Sequence, residues 1–109
     1  SDLDVELNED LSNEEYLKVV KDALNQCISL FKPDLVFYDA GVDIHKNDYL
    51  GKLNINDYGL LNRDLIVLNF FKKLEIPIAT VIGGGYSKDN LELATRHSVI
   101  FNAVNTVFY

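Results

Sequence analysis

Two short stretches carry residue types that could do chemistry. Asp39-Ala40-Gly41-Val42-Asp43 follows an apolar run and sets two carboxylates on either side of a glycine. Carboxylate oxygens bind zinc at about 2.0–2.2 Å, and a glycine lets the chain turn sharply, so a metal-ligating loop is one reading. The other is that both aspartates cap the loop by accepting hydrogen bonds from backbone amides. A single carboxylate loop does not define a metal site. The second stretch is Gly83-Gly84-Gly85-Tyr86. Three consecutive glycines allow close backbone approach, and a tyrosine after them could present its phenol to a reaction centre. With an unperturbed pKa near 10, that phenol stays protonated at neutral pH and can donate to a developing oxyanion. A tight turn ending in a surface tyrosine fits the same residues. Neither the G-x-G-x-x-G nor the G-x-x-x-x-G-K-[ST] phosphate loop is present. A looser anion site, at the Gly83–Ser87 turn with Lys88 beside it, is a third class.

The two histidines, His45 and His97, are far apart in the chain. His45 sits two residues beyond Asp43 and reads as a solvated polar side chain rather than a ligand. His97 falls on an apolar stripe with Ala94, Phe101 and Val104, where a packed, hydrogen-bonded histidine is expected.

Alternating strands and helices must position these loops. Leu3–Leu7 is a short candidate strand with alternating apolar and acidic residues. Ser12 and Glu15 form a capping box that starts a helix, in which Tyr16, Val20, Ala23, Leu24, Cys27, Ile28 and Phe31 recur at helical spacing. Pro33 ends it. Leu35–Tyr38 reads as a strand buried on both faces, and 39–56 as a long polar loop of the kind that is disproportionately functional. Asp57–Leu74 returns to helix, with Leu61, Leu65, Leu68, Phe71 and Leu74 facing inward. Ile78–Ile82 is a second buried strand, and Ser87 or Asp89 caps a final helix running to about Asn105. This order predicts an α/β fold, a three-layer α-β-α arrangement around a parallel sheet. In such sheets ligands gather beyond the carboxyl ends of the strands, where both loops begin.

Bulk properties bound the function classes. With 48% hydrophobic and 11% aromatic residues the 109-residue chain is globular in composition. The net charge of −7 disfavours a nucleic-acid partner, because it repels phosphate backbones. No apolar run approaches the roughly 20 residues of a membrane span, so no membrane partner is expected. Cys27 is the only cysteine, which excludes an internal disulfide and suits a reducing, cytoplasmic compartment. The absence of methionine adds to the expectation that the chain is a piece of a longer one.

Taken in order, three longer stretches resemble the histone deacetylase superfamily. They are Pro33–Asp43, then Asp48-Tyr49-Leu50-Gly51-Lys52-Leu53 with Gly59-Leu60 and Arg63-Asp64, then Ile76–Tyr86. The D-A-G-x-D and L-G-x-L forms are most similar to its bacterial and class IV branch. The resemblance implies that residues 1–109 are the C-terminal part of a single arginase/deacetylase-type domain. It further implies a zinc-dependent hydrolase acting on acetyl-lysine or a small acetylated amine such as an acetylpolyamine. By position, Asp43 would be one of three zinc ligands and Tyr86 the phenol that polarises the acetyl carbonyl. Gly84 and Gly85 would shape the wall of the substrate tunnel, while Asp39 inherits no role and would hold the loop. The family's His-His pair and its Asp-x-His ligands have no counterpart here. The segment alone is therefore expected to be inactive, and its uncovered sheet edge to promote self-association. A non-catalytic relative with the same fold is the alternative.

Overall fold

The computed structural model describes residues 2–48 and 50–109. Helix α1 spans Asn13–Leu30. Ser12 Oγ accepts from the Glu15 amide at 3.2 Å and Glu15 Oε1 accepts from the Ser12 amide at 3.3 Å, the capping box expected. Such a cap stabilises a helix start by about 0.5–2 kcal/mol. The helix stops before Pro33, whose ring disfavours the α conformation at Lys32. Strand β1, Val36–Asp39, leads into the long loop, and helix α2 covers Asp57–Lys73. Asn56 caps α2 by accepting from the Gly59 amide at 3.0 Å. Asn13 and Asn56 also bond each other reciprocally, at 2.6 and 3.3 Å, which ties the starts of α1 and α2 together.

Helix α2 closes with a Schellman pattern. The Ile76 amide bonds the Phe71 carbonyl at 3.0 Å and the Glu75 amide bonds the Lys72 carbonyl at 3.0 Å. The residue in the left-handed conformation is Glu75, with φ 58°, where glycine is the usual occupant. Strand β2, Ile78–Val81, and helix α3, Asn90–Phe108, complete the chain. Asp89 rather than Ser87 caps α3, accepting from the Leu91 and Glu92 amides at 2.9 and 3.2 Å.

The two strands pair in parallel, Val36 opposite Ile78 through Asp39 opposite Val81. Their inner face meets α2 and α3 in one core, where Leu68, Ile100, Ala103 and Val107 pack with Ala40, Tyr38 and Ile78. A second core lies between α1 and α2, where Tyr16 and Leu17 pack with Leu7, Ile44, Leu53, Ile55 and Ile66. The long loop is thus a packed element, anchored by three of its few apolar side chains.

Three expectations need correction. Neither Leu35–Tyr38 nor Ile78–Ile82 is buried on both faces: Phe37 is 75% exposed, Leu35 50%, Val81 48% and Ile82 55%. Both helices that reach the sheet lie against the Tyr38 and Ile78 side. Leu3–Leu7 forms no strand; Leu7 joins the second core while Val5 is exposed. Of the stripe assigned to α2, Leu68 and Phe71 are buried but Leu74, in its αR cap beyond the last turn, is exposed.

Candidate functional site

Because β1 and β2 are parallel neighbours, the loops that leave their carboxyl ends emerge side by side. Their contact is backbone-close. A β-carbon built on Gly41 would stand 2.8 Å from the Gly83 carbonyl oxygen, and one on Gly83 would stand 2.7 Å from Asp39 Oδ1. The Asp43 carboxylate lies against Gly84, where an added β-carbon would be 3.1 Å from its Cγ. Gly84 and Gly85 have φ of 63° and 109°, so the turn depends on residues without a side chain. Tyr86 follows, 54% exposed.

Asp48 joins the two loops. It is 3% exposed, and its Oδ1 accepts from the Leu50 and Gly51 amides at 3.0 and 2.9 Å. Its Oδ2 accepts from the Tyr86 amide. The carbonyl of Tyr86 accepts in turn from Arg96 Nη2 at 3.3 Å. Beneath Asp43, Arg63 Nη1 donates to the Gly41 carbonyl at 2.6 Å and Nε to Asp64 Oδ1 at 3.0 Å. Its Nη2 is 2.9 Å from that oxygen but off the hydrogen-bond axis. The Tyr38 hydroxyl donates to Asp64 Oδ1 at 2.5 Å. Burial raises the pKa of Asp64, opposed by the Arg63 charge, and burial raises those of Tyr38 and Tyr16.

A histone deacetylase domain family model matches residues 1–100. The chain belongs to the histone deacetylase family. It is 45% identical over 108 residues to an uncharacterized protein of Picosynechococcus, covering 99% of this chain and 36% of that protein. It is 35% identical over 106 residues to histone deacetylase 2 of Arabidopsis thaliana, covering 91% of this chain and 27% of that one. With histone deacetylase clr6 of Schizosaccharomyces pombe, identity is 28% over 89 residues, 82% of this chain and 21% of the relative. The chain therefore spans about a third or less of the length of these relatives.

In this histone deacetylase segment, Asp43 suits a metal ligand and Asp48 does not. The Asp43 side chain is exposed at the loop surface, and no hydrogen bond to its carboxylate occurs among the described residues. The carboxylate of Asp48 already accepts three amide hydrogens. Among the described residues no group of three His, Cys, Asp or Glu side chains could hold a metal.

The histidine readings are corrected by packing. His45 is not solvated: it is 3% exposed, with Nε2 2.7 Å from Asp57 Oδ1 and Nδ1 accepting from the Asn47 amide at 3.1 Å. His97 is half-buried, and its Nδ1 has no hydrogen-bond partner among the described residues. It lines a shallow concavity with Ile82, Gly83, Gly84, Gly85 and Tyr86. The core face of α3 is Arg96, Ile100, Ala103 and Val107, while Phe101 is 63% exposed. At the start of α3 the Asp89 carboxylate takes the Leu91 and Glu92 amides, and its negative charge there counts against the anion reading. Asp48 and Arg96 were not singled out in the sequence. Their signal, a charged residue within the resembling motif or on an apolar helix face, becomes specific only once a partner is in view.

No described helix is long and apolar enough to cross a membrane.

Proposed function

We propose that this segment supplies one zinc ligand and the oxyanion donor of a zinc-dependent deacetylase whose remaining ligands and proton-transfer histidines lie elsewhere in the whole protein. In that protein the two-stranded sheet would continue into the three-layer arrangement of a single domain, and Phe37 would be covered. One observation carries the proposal: the Asp43 carboxylate, which accepts no hydrogen bond among the described residues, stands against Gly84, two residues before Tyr86.

Zinc, when bound, activates water and polarises the amide carbonyl. Asp43 would hold the ion from the β1 side. Tyr86 would donate from its phenol to the oxygen that becomes negative as the acyl carbon turns tetrahedral. Gly84 and Gly85, lacking side chains, would form a wall narrow enough to admit an acetylated amine, from acetyl-lysine or an acetylpolyamine. Arg63, through the Gly41 carbonyl, would keep Asp43 in register. The reducing, cytoplasmic setting drawn from Cys27 fits such an enzyme.

The test uses the whole protein. Tyr86→Phe is expected to lower deacetylation by about 10²–10³-fold, the usual loss for one oxyanion donor. Asp43→Asn is expected to abolish zinc retention. Near-normal turnover in the first and unchanged metal content in the second would sink the assignment. The 109-residue segment on its own is expected to associate through its open sheet, and a concentration-independent monomer in sedimentation would contradict that.

A further inference from the structure

The Tyr86 amide and carbonyl are both held by buried charged side chains, Asp48 and Arg96, each 3% exposed. We propose that Asp48 is the positioning residue of Tyr86, setting where its phenol stands relative to Asp43, and that Arg96 holds the same residue from its carbonyl side. This rests on the reading of Tyr86 as the oxyanion donor.

The two oxygens of Asp48 do different jobs. Oδ1, with the Leu50 and Gly51 amides, makes a tight turn that brings Gly51 onto the Asp43 backbone; a β-carbon on Gly51 would stand 2.0 Å from the Asp43 carbonyl oxygen. Oδ2 reaches across 38 residues to Tyr86. One carboxylate is therefore bonded both to the turn beside Asp43 and to the tyrosine. A turn alone would need a single acceptor, which asparagine or serine provides without the cost of burying a charge. The second oxygen accounts for the aspartate, since asparagine has only one acceptor oxygen and would set an amide N–H₂ against one of these N–H groups.

The link closes into a ring. Arg96 Nη1 donates to Glu92 Oε1 at 3.0 Å, and Asn47, next to Asp48, donates to the same oxygen at 3.3 Å. Asp48, Tyr86, Arg96, Glu92 and Asn47 thus bind the loop after β1, the turn after β2 and helix α3 together. Backbone restraint at both polar atoms of Tyr86 limits the freedom of a side chain that must meet a transient charge, and a misplacement of about 1 Å can cost about 10²-fold in rate.

The decisive experiment is a double-mutant cycle in the full-length, zinc-loaded enzyme. Asp48→Asn keeps an acceptor for the Leu50 and Gly51 amides and loses the one for Tyr86. It is expected to lower kcat by about 10–10²-fold, with KM within about threefold and zinc content unchanged. Combined with Tyr86→Phe, it should cost no more than about twofold beyond Tyr86→Phe alone, because it acts through the phenol. Wild-type kcat in Asp48→Asn, or the same loss in the Tyr86→Phe background, overturns the proposal while leaving Tyr86 as donor. An active Tyr86→Phe enzyme overturns the function reading and this proposal with it. If Asp48→Asn does not accumulate as folded protein, Arg96→Gln goes through the same cycle. A loss of kcat that vanishes with Tyr86→Phe supports the proposal, and one that persists overturns it.

Discussion

Replacing Gly85 by alanine isolates the packing of the two loops from their chemistry. Gly85 has φ 109°, well beyond the left-handed region that L residues visit, and holding a side chain there costs about 1–3 kcal/mol. The new β-carbon would lie 2.5 Å from Val42 Cγ2. Val42 is 2% exposed and cannot swing into solvent, so overpacking adds about 1–3 kcal/mol. Stiffening the unfolded chain returns about 0.4–1 kcal/mol, which leaves a net loss of about 1–6 kcal/mol. Gly84→Ala is the comparison. Its φ of 63° is tolerated at about 1–2 kcal/mol, and its β-carbon meets the Asp43 carboxylate, at 3.1 Å from Cγ, which can shift. Urea unfolding of the full-length variants in saturating zinc, with zinc affinity measured separately, should show Gly85→Ala as the larger loss of stability and Gly84→Ala as the larger loss of metal. A Gly85→Ala protein within about 0.5 kcal/mol of wild type, below the range expected for such strain, would refute the account of how these loops meet.

The remaining expectations concern the supports of the site. Arg63→Ala leaves Asp64 buried without its cation and should cost about 3–5 kcal/mol in urea unfolding. Burial raises the Asp64 pKa, and removing Arg63 raises it further. The variant's deficit should therefore be smallest in acid and grow as pH rises towards neutral; a deficit independent of pH would count against the ion pair. Burial also raises the Tyr38 and Tyr16 hydroxyls above 10.0. Their contribution to stability should be intact below that pH and fall above it. Thermal melts should show a shallower alkaline decline in Tyr38→Phe, and an unchanged decline would exclude Tyr38 as a source. Glu75→Gly removes a left-handed side chain at the end of α2 and should stabilise by about 0.5–1 kcal/mol, read as a rise in urea midpoint.

Helix starts were legible because their signals are local. Ser12 and Glu15 lie within one turn and form the capping box wherever the helix packs. Pro33 stops α1 by its own ring, and Asp89 is adjacent to the amides it caps. The end of α2 was less readable, since Glu75 carries no mark of its left-handed backbone; Phe71 and Ile76 close the turn around it. The alternation at Leu3–Leu7 misled because a strand needs a partner, and Leu7 finds the α1–α2 core instead. The stripe that carries His97 lies at the edge of the core: Ala94 and Phe101 are exposed, and only Val104 packs, half-buried, against the sheet. The buried face holds Ile100, Ala103 and Val107 instead.

From sequence alone came the order of the elements from α1 onward, the parallel α/β class, the two loops after the strands and the resemblance that points to Asp43 and Tyr86. Each is encoded by neighbours a few positions apart, through hydrogen bonds and periodicities that form within a turn or a strand. Only the tertiary structure decided that Asp48 belongs to Tyr86, that Arg63 holds Gly41, that His45 is buried against Asp57 and that Arg96 faces the glycine turn. Those partners are between 10 and 38 positions apart. They meet because β1 and β2 pair in parallel and direct both loops to one edge, where backbone atoms approach closely enough that glycine is required and a buried charge must find its counterpart.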